Sequence, residues 1–247
     1  MSTEHSHSVT KVTAKAIIKV VLELIRNACS RSELSKQCTL VAVSKTKSKE
    51  LIAACYSIGQ RDFGENYIQE LEEKSFALIN DCPDIKWHYI GKIQSKKIAK
   101  LCSIPSLYCV ETIESEKHCS LLNKEMEKKQ RVLNVFIQVN TSEEQQKGGL
   151  SMLDAPDLAC YIMENCPYLK FDGFMTIGSM ENSHKVPNPD FQRLYEVREK
   201  YAICTSRLPC EVQLSMGMSD DFETAIVQGS TVVRVGSKIF GPRLQNE

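Results

Sequence analysis

The chain has 247 residues, 42% hydrophobic and 25% charged, enough to bury one large core and close to the roughly 250 residues of a (β/α)8 barrel. Lys plus Arg and Asp plus Glu both total 31, so no overall basic field favours nucleic acid and no acidic excess favours disorder. A single small-ligand-binding domain over 1–247 is the expectation, with neither nucleic acid nor a membrane as partner.

The chain opens MSTEHSHSVTKVTAKAIIKVVLELIRNACS, whose apolar run, 16–25, is interrupted by Lys19 and Glu23. That run is too short to span a bilayer, so neither a signal peptide nor an anchor is expected. The segment predicts instead an extra helix over about 9–30, covering part of the domain. From residue 39 onward, β-type runs alternate with amphipathic ones, the pattern of a parallel sheet with crossover helices. The predicted strands are 39–44, 61–65, 87–91, 107–113, 133–140, 171–177, 211–216 and 231–235. Helical stretches at 49–58, 67–79, 94–101, 115–129, 153–165, 191–204 and 220–228 lie between them. Eight strands with right-handed crossovers close into a barrel over about 38–243, and an open doubly wound sheet is the alternative. The stretch ENSHKVPNPD at 181–190 is the clearest loop. Eleven cysteines without a repeated spacing suit free thiols in a reducing compartment, the cytoplasm with mitochondria as a second setting. His118 and Cys119 are adjacent, but no C-x-x-C pair accompanies them and no metal is expected.

In a barrel, functional groups gather just after the strands, at the C-terminal mouth. Lys45 follows LVAVS, which places its ammonium where the core opens. Partial desolvation there favours the neutral amine that attacks an aldehyde, although a lysine pointing to solvent is the plainer reading of the position. Lys47 and Lys49 come later and read as surface residues. Near the end, LSMGMSDD at 214–221 and VVRVGSKIFGPR at 232–243 each pass from a β run into a turn with Gly and Ser. Backbone N–H groups and hydroxyls in such turns cradle phosphate, and barrels commonly hold phosphate after strands seven and eight. Either turn alone is ordinary; the pair points to an anion. Arg234 lies inside the last predicted strand between Val233 and Val235. Pointing inward it must find an acceptor, for which a heteroaromatic ring nitrogen would serve; pointing outward it would pair with a helix carboxylate.

The stretches LVAVSKTK, GQRDFGENYIQE, KWHYIGKIQSKK, VFIQVNTSEEQQKGGL, GFMTIGS, LSMGMSDDFETAIVQGS and VRVGSKIFGPR together strongly resemble the pyridoxal-phosphate homeostasis protein family, itself similar to the N-terminal barrel of alanine racemase. The resemblance runs in order over about 38–243. It implies a fold-type III barrel carrying pyridoxal 5′-phosphate as a Schiff base on Lys45, with Asn66 lining the cofactor pocket and Arg234 facing the pyridine nitrogen. Ser215, Gly236 and Ser237 would bind phosphate, and Met216, Gly217 and Met218 would shape the turn beside it. Two departures stand out. Ser48 replaces the proline usual after the lysine, and Lys96 replaces an asparagine; neither removes a residue assigned to the cofactor.

What the resemblance implies is a holder rather than a catalyst. A fixed cation at the pyridine nitrogen discourages its protonation and weakens the ring as an electron sink. Racemisation also needs an acid and a base on opposite faces of the amino acid. Alanine racemase-like enzymes resemble this barrel plus a second β domain, and the sequence given ends six residues after Gly241, so that domain is not expected. The expected role is intracellular homeostasis, storage or delivery of the cofactor by a monomer, with apoenzymes as recipients. A slow amino-acid racemase and a Schiff-base or sugar-phosphate aldolase barrel are the alternatives.

Overall fold

A computed structural model describes residues 10–144 and 146–242. Its strands are β1 (Thr39–Val43), β2 (Asp62–Glu65), β3 (Lys86–Tyr89), β4 (Leu107–Ile113), β5 (Leu133–Gln138), β6 (Leu169–Met175), β7 (Gln213–Ser215) and β8 (Val232–Val235). All pair in parallel in sequence order, and β8 returns to β1 with Thr39 opposite Val232 and Val41 opposite Arg234. That last pairing closes the barrel and excludes the open sheet. Around it run α1 (Lys11–Arg31), α2 (Lys49–Tyr56), α3 (Ile68–Leu78), α4 (Ile98–Ser103), α5 (Glu116–Lys128), α6 (Asp154–Asn165), α7 (Pro189–Cys204), α8 (Phe222–Val227) and α9 (Ser237–Phe240).

Strand alternation sorts the side chains into two layers. Leu40, Ala42, Trp87, Tyr89, Val233 and Val235 point outward and pack in the core beneath the helices. Val41, Cys109, Phe136, Met175 and Val232 form a separate apolar cluster of alternate strand residues inside the barrel. A barrel of this size is usually filled by branched apolar residues. Here Asp62, His88, Glu111, Ser215 and Arg234 share that interior, and all but Asp62 are buried.

The predicted extra helix is α1, and it takes the place of a full eighth barrel helix. Because α9 is a single turn, the β8–β1 seam needs other cover, and α1 packs against α2, α8 and α9. Ala14, Ile18, Val21, Ile25 and Ala28 recur at helical spacing and are buried. Burial of each larger apolar side chain stabilises by about 1.5–3 kcal/mol. The helix starts on Thr10, whose side chain accepts from the Thr13 N–H, and ends at Ser32, whose hydroxyl donates to the Ile226 carbonyl at 2.9 Å. Val9, the first residue of that predicted segment, lies outside the described residues, as does Arg243 at the end of the predicted barrel.

Several boundaries differ for local reasons. Pro209–Glu211 forms a 3-10 turn, so β7 begins at Gln213 rather than 211. In the predicted 181–190 loop, Asn188 accepts from the Asp190 N–H and starts α7 at Pro189. Proline suits the first turn of a helix because its missing N–H has no partner there to lose. The single-turn α9 was not expected; its four residues are too few to give a periodic signal. All eleven cysteines are free thiols. Among the described residues, no helix is long and apolar enough to cross a membrane.

Candidate functional site

The mouth of the barrel holds a cavity of about 240 Å³ lined by Lys45, Met218, Ser219, Arg234, Gly236 and Ser237 together with Val43, Lys47, Ile90, Asp220 and Gly241. Lys45 is half-buried, on the first residue but one after β1. The chain end that carries it is clamped from below. Ser44 Oγ donates to Glu65 Oε1 at 2.6 Å, and Lys74 Nζ from α3 donates to the Ser44 carbonyl and to Glu65 Oε1, each at 2.7 Å. The next residue, Thr46, has φ of 62°, an uncommon conformation for a β-branched residue, and its N–H donates to Glu70 Oε1. Burial pushes the Glu65 carboxyl above its ordinary value, against the pull of Lys74 and Ser44. We expect Lys74→Met to leave that carboxyl without its cation and to cost about 3–5 kcal/mol. Urea unfolding at pH 7 measures this, and a midpoint within error of the parent would show the clamp to be unimportant.

Arg234 points inward. Its Nη1 donates to Ser215 Oγ at 2.6 Å and its Nη2 to the Thr176 carbonyl at 2.8 Å. Arg234 is 4% exposed, and burial lowers its pKa against the neighbouring Glu111 and Asp221 carboxylates. Beyond β8, the Gly236 and Lys238 N–H groups donate to Ser219 Oγ at 3.2 and 3.3 Å. Ser219 thus marks a place where an oxygen acceptor is held by two backbone donors of the β8–α9 turn. A Cβ on Gly236 would sit 3.2 Å from the Val43 carbonyl oxygen, so β1 and β8 approach closely here because that residue has no side chain. Gly217 has φ of 95°, and a Cβ there would lie 2.5 Å from that of Ala225. The turn between β7 and α8 therefore requires glycine on two counts.

Five residues named from the resemblance converge on this cavity: Lys45, Met218, Arg234, Gly236 and Ser237. Four lie off its lining, among them Gly217 in the β7–α8 turn just described. Asn66 borders a neighbouring space with Tyr89, Gly91, Lys92 and Gln94, and its Oδ1 is buried without a hydrogen-bond partner among the described residues. Ser215 lies beneath Arg234, fully buried, with its hydroxyl donated to Glu111 Oε2 at 2.6 Å. Met216 has the outward parity of β7, so its side chain is buried in the helix-side core while Met218, two residues on, reaches the mouth. Sequence reading also passed over two residues. Lys47 was read as surface, yet it lines the cavity, donates to the Pro242 carbonyl at 2.7 Å and has its pKa lowered by burial. Ser219 lies in the LSMGMSDD stretch, where Gly–Met–Ser after a β run is the available signal, but nothing local shows the turn contacts that give it a role.

The alanine racemase N-terminal domain family matches residues 23–243. A pyridoxal phosphate homeostasis protein of Caenorhabditis elegans is 53% identical over 94% of this chain and 97% of its own. The chain belongs to the pyridoxal phosphate homeostasis protein family. The Escherichia coli K12 protein of that name is 38% identical over 87% of this chain and 89% of its own. Among solved structures, PipY of Synechococcus elongatus with pyridoxal phosphate bound superposes with a TM-score of 0.73 at 27% identity, covering 88% of this chain and 99% of PipY. Alanine racemase of Corynebacterium glutamicum, at 13% identity, shares the fold with a TM-score of 0.61 over 91% of this chain and 62% of the racemase. The family match thus spans the barrel described above and begins within α1.

Proposed function

We propose that this chain binds pyridoxal 5′-phosphate in the mouth cavity and holds it for intracellular homeostasis, storage or delivery, without turning over a substrate of its own. The observation that carries the reading is the convergence of Lys45, Arg234, Gly236 and Ser237 on one cavity, in a family whose members are named for that cofactor. The donor set fits the group. Lys45, Lys47 and Arg234 are cationic, and the turn N–H groups that now hold Ser219 Oγ suit a phosphate oxygen.

When bound, the cofactor supplies an aldehyde that condenses with an amine and a ring that accepts electrons. In this reading Lys45 Nζ is the point of covalent attachment, presented by a strand end that Lys74, Glu65 and Glu70 hold in place. Gly236 and Ser237 bind the phosphate, with Met218 and Ser219 forming the wall beside them. Arg234 has donors and no acceptor, so it pairs with a ring nitrogen without giving up a proton to it and restrains the ring's electron demand. Asn66 borders the adjacent space, and Met216 precedes the turn that brings Met218 to the cavity. Ser215 acts through Arg234. The working unit is a monomer in the cytoplasm, with mitochondria as a second setting and apoenzymes as recipients.

Titration of cofactor-stripped protein with pyridoxal phosphate tests the reading through the visible absorption of the bound group. Saturation at one equivalent supports it, and no spectral change at any ratio overturns it. Ser237→Ala should weaken binding about tenfold to a hundredfold while covalent attachment persists, since one hydrogen bond to a charged group contributes roughly 1.5–3 kcal/mol. An unchanged dissociation constant would make Ser237 a turn residue only.

A further inference from the structure

A line of polar groups, all buried but Asp62, runs through the barrel axis from the mouth to the floor. Arg234 Nη1 donates to Ser215 Oγ at 2.6 Å, and the Ser215 hydroxyl donates to Glu111 Oε2 at 2.6 Å. Glu111 Oε1 lies 2.8 Å from His88 Nδ1, and His88 Nε2 lies 3.1 Å from Asp62 Oδ1. The groups come from β8, β7, β4, β3 and β2, and no two neighbours in the line are close in sequence. At the far end, Asp62 and His88 open onto a floor cavity of about 130 Å³ that also involves Lys86, Tyr108, Cys109 and Asp172.

The hydrogens along this line have one consistent arrangement. Both imidazole nitrogens face carboxylates, which accept and do not donate, so both carry hydrogen and His88 is an imidazolium. Burial opposes that charge, but the hydrogen bonds and charges of Asp62 and Glu111 push its pKa up to about 9. Burial would likewise raise Glu111, yet His88, Arg234 and Ser215 hold it below its ordinary value. With Glu111 ionised, the Ser215 hydrogen turns toward it and leaves the Ser215 lone pairs for Arg234. Cys109 stands beside Glu111 in the strand pattern, but burial and nearby carboxylates keep it a neutral thiol, and both His88 nitrogens are already engaged. Charge alternates along the line as cation, anion, cation, anion.

We propose that Glu111 is a positioning residue for the cofactor site: its carboxylate, braced by His88 and Asp62, orients the Ser215 hydroxyl, which in turn fixes Arg234 at the cavity. The floor of the barrel thereby sets the pose of the cation at its mouth. The proposal rests on the mouth cavity being the pyridoxal phosphate site, and it gives Ser215 a different job from direct phosphate binding. It also explains why charged residues occupy a barrel interior that apolar side chains would fill at less desolvation cost.

A double-mutant cycle separates these readings. Ser215→Ala removes the bridge and keeps the charges, whereas Glu111→Gln removes the charge and keeps an amide of the same shape. Each is made in the parent and in an Arg234→Gln background, and pyridoxal phosphate is titrated while the absorption maximum is followed. In the parent, each change should weaken binding about tenfold or more and shift the absorption maximum in the direction that Arg234→Gln alone does. In the Arg234→Gln background, each should add less than about twofold, because the residue being positioned is gone. Full additivity in both backgrounds, or parental binding and spectrum in Ser215→Ala, would overturn the proposal. Additivity for Ser215→Ala alone is the result expected of a direct phosphate ligand. Urea midpoints without cofactor identify any variant that fails to fold, in which case Ser215→Ala, the milder change, decides. If the parent protein takes up no pyridoxal phosphate, the reading of the cavity fails instead, and the two failures are distinct.

Discussion

Lys45→Ala should lose covalent retention of pyridoxal phosphate completely, while keeping a weaker, dialysable affinity through the phosphate end of the cavity. Lys47 also lines the cavity and is the residue best placed to substitute. Its ammonium, however, donates to the Pro242 carbonyl at 2.7 Å. That hydrogen bond fixes the Nζ position and restricts where its lone pair can reach an aldehyde. Gel filtration after incubation, followed by the absorption spectrum of the protein fraction, gives the result directly. A colourless Lys45→Ala protein that still binds cofactor in equilibrium dialysis is expected. A variant that retains as much cofactor as the parent would transfer the role to Lys47. Folding should be little affected, because Lys45 is half-buried and follows the strand rather than lying within it.

Arg234 should produce the largest loss of stability among the site residues. Arg234→Met removes a buried cation from the line it forms with Ser215, Glu111 and His88. Breaking a buried charge pair by removing one partner costs about 3–5 kcal/mol, because the remaining charge keeps its desolvation penalty. Arg234→Glu goes further, since it sets a second carboxylate one serine away from Glu111. Like charges at that depth force one carboxyl to take up a proton or the network to rearrange. The glutamate variant should therefore unfold at lower urea than the methionine variant at pH 7, and the gap should narrow at acidic pH as the carboxyl is protonated. A glutamate variant as stable as the parent would show that Arg234 is not the counter-charge of Glu111. The same coupling means that a change in cofactor electronics in Arg234→Glu cannot be credited to the ring nitrogen alone, and Arg234→Met is the control.

Which parts of this were legible in the sequence follows from locality. Lys45, Gly236 and Ser237 each stand at a strand end beside their own signal, an apolar run before the lysine or a Gly–Ser turn after β8, so a local reading places them. Strand parity was also readable. Arg234 alternates with Val233 and Val235, and that alternation is what turns it inward in the closed barrel. The partner set was not readable. Glu111 lies within LYCVETI and His88 within KWHY, where single polar residues in β runs suggest a wet face. Only closure of β8 onto β1 makes the face opposite the helices an interior and brings residues 62, 88, 111, 215 and 234 together. Met216 was misleading for the related reason that parity counts single residues: it sits one position from Ser215 and so belongs to the opposite layer. The extra helix was legible from its period, and so was its task of covering part of the domain, but not that the part covered is the β8–β1 seam. That task depends on α9 being one turn long, a length set by the glycine at 241, where φ reaches 76°.

The central claim is that the cavity at Lys45 is the pyridoxal phosphate site. The most direct measurement is borohydride reduction of the parent protein loaded with pyridoxal phosphate, followed by peptide mapping by mass spectrometry. A stable pyridoxyl adduct on the peptide containing Lys45, at close to one per chain, is the expected result. An adduct confined to other lysines with Lys45 unmodified, or no adduct on a protein that has bound the cofactor, would contradict it.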